Sequence, residues 1–208
     1  MIELFSANTP NGKKISIMLE EIGYEYKVTK IDLDIGEQFN LDFKKISPFG
    51  KIPVIIDHES NKSVFESGAI LIYLAEKSGK FYDIDNRLKI NQWLMAQMGY
   101  IGPMLGQHHQ FHHYNPGKSK FGEERYFKIS KSIYQDLDQR LSKSNYLSGD
   151  EYSISDIATF PWIARHEWHD IGLSKFNNLT RWYNEISKRE AVIRGFSFMK
   201  KNEYPPKP

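Results

Sequence analysis

Lys51–Lys77 reads KIPVIIDHESNKSVFESGAILIYLAEK, a strand, a turn, a second strand and a helix in one short span. Val54-Ile55-Ile56-Asp57 is a short apolar run suited to a buried strand, Asp57 to Lys62 is a polar turn, and Ser63-Val64-Phe65 returns as the partner strand. The period then changes. Ile70, Leu71, Tyr73, Leu74 and Lys77 follow a helical stripe, which puts the helix start at Glu66-Ser67-Gly68. Hydroxyl and carboxylate side chains at a helix start satisfy unpaired amides and complement the dipole, and the same amides attract anions. Pro53 stands just before the first strand, where a proline removes no ladder hydrogen bond.

Upstream, Ile2, Leu4 and Phe5 form a first strand, ended by a loop dense in turn formers from Ser6 to Gly12. A helix follows with Ile15, Met18, Leu19 and Ile22 on one face and Glu20-Glu21 on the other, closing at Gly23. Tyr26 to Ile31 alternates as a second strand, and a strand–helix–strand order of this length implies a parallel pair with a right-handed crossover. Asp34 to Phe39 is loop, Leu41 to Ile46 a short helix, and Ser47-Pro48-Phe49-Gly50 a break. The order βαβαββα predicts an α/β, thioredoxin-like domain with a mixed four-stranded sheet over residues 1–78, followed by a polar linker at 79–86.

Residues 87–208 read as an all-α domain. Helical patterns run from Leu88 to Met98 (bent beyond that by Gly99, Gly102 and Pro103), from Glu123 to Leu141, from Asn178 to Lys188 and from Ala191 to Lys200. Ser153-Ile154-Ser155-Asp156 is a capping-box variant that opens the apolar segment from Ile157 to Ala164. The tail Tyr204-Pro205-Pro206-Lys207-Pro208 is expected to be extended.

The 208 residues carry a net charge of +2, which gives no electrostatic case for nucleic acid or an anionic membrane. There is no cysteine, so disulfides, thiolate metal sites and a protein-borne thiol nucleophile are excluded. No apolar run approaches the roughly 20 residues a membrane span needs. The chain opens directly on an apparent strand with no signal-peptide pattern, and a cytoplasmic protein is the expectation.

A thioredoxin-like domain followed by a helical one, with Ile52-Pro53 and Glu66-Ser67 in place, resembles the cytosolic glutathione transferases. Thr9-Pro10-Asn11-Gly12, Ile46-Ser47-Pro48, Lys51-Ile52-Pro53, Phe65 to Leu71, Gly102 to Gln107 and Glu124-Arg125-Tyr126 are together similar to the bacterial Nu-class branch, related to the fungal Ure2-like proteins. Some of these act as glutathione-dependent disulfide-bond oxidoreductases. The resemblance implies a homodimer with glutathione as co-substrate, no metal, and a helical domain that lines the acceptor site. It leaves conjugation of electrophiles, peroxide reduction and a non-catalytic glutathione-binding module as alternatives.

The resemblance also assigns roles. Glu66 pairs with the glutathione ammonium, while Ser67 and the helix amides take the γ-glutamyl carboxylate. A cis Pro53 would turn the backbone of Ile52 toward the cysteinyl residue. Thr9 and Asn11 match the positions that contact the sulfur, where donated hydrogen bonds stabilise a thiolate; Ser6 is the alternative. Gln38 matches a peptide contact, and Arg125 a carboxylate clamp. As local chemistry, Thr9 to Asn11 is also an ordinary turn with Asn11 as helix cap, Glu66 and Ser67 are cap residues, and Arg125 is a surface partner of Glu123 or Glu124. His108/His112 and His109/His113 are i,i+4 pairs that could each face a zinc ion, but no cysteine or suitably spaced carboxylate joins them. One of these histidines, or Tyr114, is an alternative lining for an acceptor pocket.

Overall fold

The computed structural model describes residues 1–208. The chain packs as two compact units, Met1–Tyr82 with Arg189–Pro205, and Asp83–Lys188 with Pro206–Pro208.

In the first unit β1 (Ile2–Ser6), α1 (Pro10–Ile22), β2 (Tyr26–Lys30), α2 (Leu41–Ile46), β3 (Val54–Asp57), β4 (Lys62–Phe65) and α3 (Ser67–Ser78) follow in βαβαββα order. The sheet order is β2-β1-β3-β4, with β1 parallel to β2 and the other pairs antiparallel. Alternation along β1 sends Ile2, Leu4 and Ser6 to a fully covered face. Phe5 points the other way and meets Phe43 of α2, ring centroids 6.4 Å apart. Ile31, Val54, Leu33, Ile46 and Ile52 close a small core around that contact.

The first helix departs from its amphipathic pattern. It is buried from Gly12 to Leu19, Lys13 and Lys14 included, because α3 and a later helix, α9 (Glu190–Phe196), both pack on it. The acidic pair expected on a solvent face is half-buried: Glu20 binds Arg194 at 2.7 Å and Glu21 binds Arg189 at 2.6 Å. At the crossing, a Cβ on Gly195 would lie 2.6 Å from the Cα of Ile17, so the backbones touch. Arg189–Pro205 is therefore grouped with the first unit, whereas the sequence places it in the helical domain.

The second unit holds α4 (Arg87–Ala96), α5 (Gly102–His108), α6 (Lys120–Leu141), α7 (Ile154–Ile163) and α8 (Asn177–Ser187). Gly99, Gly102 and Pro103 do not interrupt it; π-helical turns at Gln97–Ile101 and His109–Tyr114 keep the chain helical from Arg87 to Tyr114. The Ser153–Asp156 capping box forms. Asp156 accepts from Ser153 N–H at 3.1 Å, Leu147 N–H at 3.0 Å and Trp182 Nε1 at 2.9 Å, which ties three parts of the unit to one carboxylate. No helix is long and apolar enough to cross a membrane.

Candidate functional site

Strand register assembles the site. Phe5 lies opposite Val54, and Val54 opposite Phe65. The next residues in that row are Ser6, Pro53 and Glu66, so three loops far apart in sequence emerge at one end of the sheet. Both α1 and α3 begin there. The pairing of Ser6 with Lys30 brings the loop after β2, which carries Gln38, to the same end.

Thr9 is the N-cap of α1, with extended backbone, and its Oγ1 accepts a hydrogen bond from Gly12 N–H at 3.1 Å. The hydroxyl proton of Thr9 remains available to a second acceptor. Asn11 follows in the first turn, half-buried, so the cap position expected for it belongs to Thr9. Ser6 is fully enclosed and donates to the Ala7 carbonyl at 3.3 Å. A Cβ on Gly12 would collide with its hydroxyl, so Ser6 lies directly against the first turn of α1.

The Ile52–Pro53 peptide bond is cis. The turn leading into it is tied by Ser47, whose Oγ accepts from Lys51 N–H at 2.9 Å and donates to the Lys51 carbonyl at 2.7 Å. Gln38 donates through Nε2 to the Leu33 carbonyl at 3.5 Å, while its Oε1 is buried with no hydrogen-bond partner in the chain. A buried acceptor left unmade costs about 1–3 kcal/mol, so this oxygen is suited to a donor from outside.

Glu66 precedes α3 with φ 70° and ψ 116°, a conformation L-residues rarely hold. Its carboxylate is exposed and does not cap the helix, contrary to the simple capping role its position suggests. Ser67, only 3% exposed, forms the first turn. Behind it lies a residue that sequence reasoning passed over: Lys14, 1% exposed, with Nζ 3.3 Å from Ser67 Oγ. Burial pulls the Lys14 pKa down to about 7, with the Glu66 charge opposing. Two consecutive lysines in a helix read as a solvated face.

Arg125 sits in the second unit, exposed on α6. The surface ion pair with Glu123 or Glu124 does not form, because Glu123 accepts from Gly117 N–H at 2.6 Å and Glu124 pairs with Lys120 at 3.9 Å. The histidines divide by burial. His108 and His109 are enclosed, and His109 Nε2 meets His169 Nε2 at 2.8 Å, whereas His113 stacks on Trp168 with centroids 3.9 Å apart. No set of three or more His, Asp or Glu side chains is placed to hold a metal ion.

Residues 1–76 match the glutathione S-transferase N-terminal domain, and residues 114–190 its C-terminal domain. The disulfide-bond oxidoreductase YfcG of Escherichia coli K12 is 43% identical over 199 residues, 92% of this chain and 93% of its own. YghU of the same organism, also a disulfide-bond oxidoreductase, is 36% identical over 213 residues, 93% and 73% of the two chains. A Burkholderia graminis glutathione transferase with two glutathione molecules bound per subunit superposes with TM-score 0.89 at 40% identity, covering 96% of this chain and 89% of that one. A Pseudomonas putida transferase with one glutathione disulfide bound per subunit superposes with TM-score 0.88 at 40% identity, covering 95% and 91%. With both domain models matched and identity above 40% along nearly the whole length, the chain belongs to the glutathione S-transferase family, on the branch of YfcG, YghU and the Ure2 proteins.

Proposed function

We propose that this chain is a glutathione-dependent disulfide-bond oxidoreductase in which bound glutathione supplies the thiol. The observation that carries the reading is that the segments carrying Thr9–Asn11, Ile52–Pro53 and Glu66–Ser67 leave the sheet at one end, in a chain without cysteine. Glutathione has an ammonium for Glu66, a γ-glutamyl carboxylate for Ser67 and the first amides of α3, a cysteinyl backbone for Ile52, and peptide N–H groups for the open Oε1 of Gln38. Arg125 is assigned a glutathione carboxylate, which a planar guanidinium grips with two parallel bonds.

Hydrogen bonds donated by Thr9 and Asn11, with the α1 dipole, favour the thiolate over the thiol, whose ordinary pKa is about 8.5. The thiolate attacks one sulfur of the substrate disulfide. That S–S bond breaks, and the departing thiolate takes a proton from water. A second glutathione thiolate then attacks the mixed disulfide, releasing glutathione disulfide and the second thiol. Two glutathiones are oxidised and one disulfide is reduced. The ligands in the Burkholderia and Pseudomonas relatives, two glutathiones or one glutathione disulfide, support this stoichiometry.

The test is turnover of 2-hydroxyethyl disulfide by purified protein with glutathione, run beside an aryl halide and a hydroperoxide. Disulfide reduction above the uncatalysed rate supports the reading. Activity confined to the aryl halide or peroxide replaces it with transferase or peroxidase chemistry, and retention on immobilised glutathione without any turnover indicates a binding module.

A homodimer completes the proposal. Leu41 and Phe49 in the first unit are 81% and 72% exposed, and Leu88 and Met95, two turns apart on α4, are also uncovered. Apolar side chains this exposed favour a protein partner. Light scattering at twice the chain mass of 24.4 kDa is expected, and a monomer contradicts it.

A further inference from the structure

We propose that Glu203 is a positioning residue for glutathione activation: its carboxylate bridges Asn8 and Lys13 and so clamps the segment Thr9–Asn11 between them. The role rests on the glutathione reading above and adds a residue that acts through Thr9 and Asn11 rather than on a ligand.

The last stretch of chain follows α1 back toward its N-terminus. Ser16 Oγ donates to the Gly195 carbonyl at 2.6 Å, and Lys13 Nζ lies 3.5 Å from the centre of the Phe196 ring. The Phe198 ring comes within 3.4 Å of where a Cβ on Gly12 would be. A turn follows, with Glu203 N–H bonded to the Lys200 carbonyl at 3.1 Å and Asn202 at φ 61°. It delivers Glu203 to the loop between β1 and α1. There Oε2 accepts from Asn8 Nδ2 at 3.0 Å, and Oε1 accepts from Lys13 Nζ at 2.6 Å. All of these residues belong to the first unit.

A carboxylate offers two oxygens that only accept, so a single side chain serves both nitrogen donors. Exposed ion pairs contribute little, but this one has its cation inside: Lys13 is 2% exposed. Withdrawing a carboxylate from an enclosed ammonium is costly even where other contacts remain. Lys13 therefore anchors Glu203, and the second oxygen reaches out to the exposed Asn8, the residue just before Thr9.

Thr9 itself is tied to the helix start from within. Its carbonyl accepts from Lys13 N–H at 3.0 Å and its Oγ1 from Gly12 N–H at 3.1 Å. Glu203 adds the hold from outside. Hydrogen bonds weaken steeply with distance and angle, and a misplacement of about 1 Å can cost about a hundredfold in rate. The rest of glutathione is assigned to Ile52–Pro53 and Glu66–Ser67, on other segments. Loosening Asn8 is thus expected to act on the sulfur step and to spare affinity.

The test compares Asn8→Ala, which removes the outer arm without changing a charge, with Glu203→Gln, whose one carbonyl oxygen replaces two acceptors. Three quantities are measured: calorimetric affinity for S-methylglutathione, steady-state reduction of 2-hydroxyethyl disulfide, and hydrogen exchange at the Gly12 and Lys13 amides without ligand. Both variants should bind S-methylglutathione within about twofold of wild type. Their kcat should fall about five- to tenfold at unchanged KM, the worth of roughly one hydrogen bond. Exchange at Gly12 and Lys13 should quicken by about the same factor. The double variant should match Glu203→Gln alone, because both changes act through one clamp. Unchanged kcat and exchange in the folded variants overturn the role of Glu203. So do losses that multiply in the double variant, or an affinity loss as large as the loss in kcat. Wild type that neither binds S-methylglutathione nor reduces the disulfide overturns the glutathione reading, and exchange then decides whether Glu203 holds the loop. If Glu203→Gln does not fold, Asn8→Ala decides on the same measurements, since its side chain is exposed and its loss leaves the Lys13 pair in place.

Discussion

Gly12 rests directly on Ser6: a Cβ at position 12 would collide with the Ser6 hydroxyl and the Ala7 carbonyl. The end of β1 and the start of α1 are thus held at a separation set by the absence of one methyl group, and the loop that carries Thr9 has no slack. Gly12→Ala must lift the first turn of α1 from the sheet. A loss of about 2 kcal/mol in stability is expected, as for overpacking elsewhere, with a fall in disulfide turnover. Urea unfolding checks the first, and an unchanged midpoint contradicts it.

Thr9 serves the fold and the chemistry through different atoms. Its oxygen caps α1 by accepting from Gly12 N–H, and its proton is the donor offered to sulfur. Thr9→Ser keeps both and should stay close to wild type. Thr9→Val loses both: stability should drop by about 1 kcal/mol, the usual worth of a cap, and turnover should fall further than stability explains. Asn11→Ala should lower turnover while leaving glutathione affinity nearly intact.

At Glu66 stability and binding are set against each other. The residue holds φ 70° without a hydrogen bond from its own side chain to the helix it precedes. Glycine relieves that strain, so Glu66→Gly should raise stability by about 1 kcal/mol. It should also weaken glutathione binding, because the partner of the ammonium is gone. A variant that is more stable and binds equally well contradicts the role of Glu66.

The buried histidines make stability depend on pH. Tyr134 O–H and His169 Nδ1 are 2.6 Å apart, and His169 Nε2 and His109 Nε2 are 2.8 Å apart, a chain that neutral rings satisfy with one proton per link. Burial lowers all four enclosed histidines, His108 to about 4, His109 to about 3, His169 well below its ordinary value and His166 below it, and like-charge neighbours add to the effect at the first three. Unfolding exposes rings that protonate near pH 6.5, so the unfolded state binds more protons below that pH. Stability is therefore full above pH 6.5 and falls as pH drops toward 4, by up to about 1.4 kcal/mol per pH unit for each group. Denaturant midpoints across that range check it, and His109→Phe should flatten the slope.

Much of this was legible in the sequence because it is local. Alternation and turn residues place all four strands, Gly23 ends α1, and Ser153 with Asp156 opens α7. The row of Ser6, Pro53 and Glu66 needs the strand register as well, which the hairpin and crossover nearly dictate. The burial of Lys13 and Lys14 was not legible, because the helix that covers α1 comes from residues 190–196, more than 170 positions away. No periodicity within α1 announces it. The π-turns between α4 and α6 were not legible either: Gly99, Gly102 and Pro103 signal a bend, and no local pattern marks the π-helical turns that keep the chain helical.

The central claim is that a protein without a thiol activates the thiol of glutathione. Because the chain has no cysteine, thiolate ultraviolet absorbance in the complex comes from glutathione alone. Titrating that absorbance with wild type and Asn11→Ala is the most direct test. The account predicts a bound-thiol pKa at least about one unit below the free value of about 8.5, moving back toward it in Asn11→Ala. A pKa in the wild-type complex equal to that of free glutathione contradicts the account.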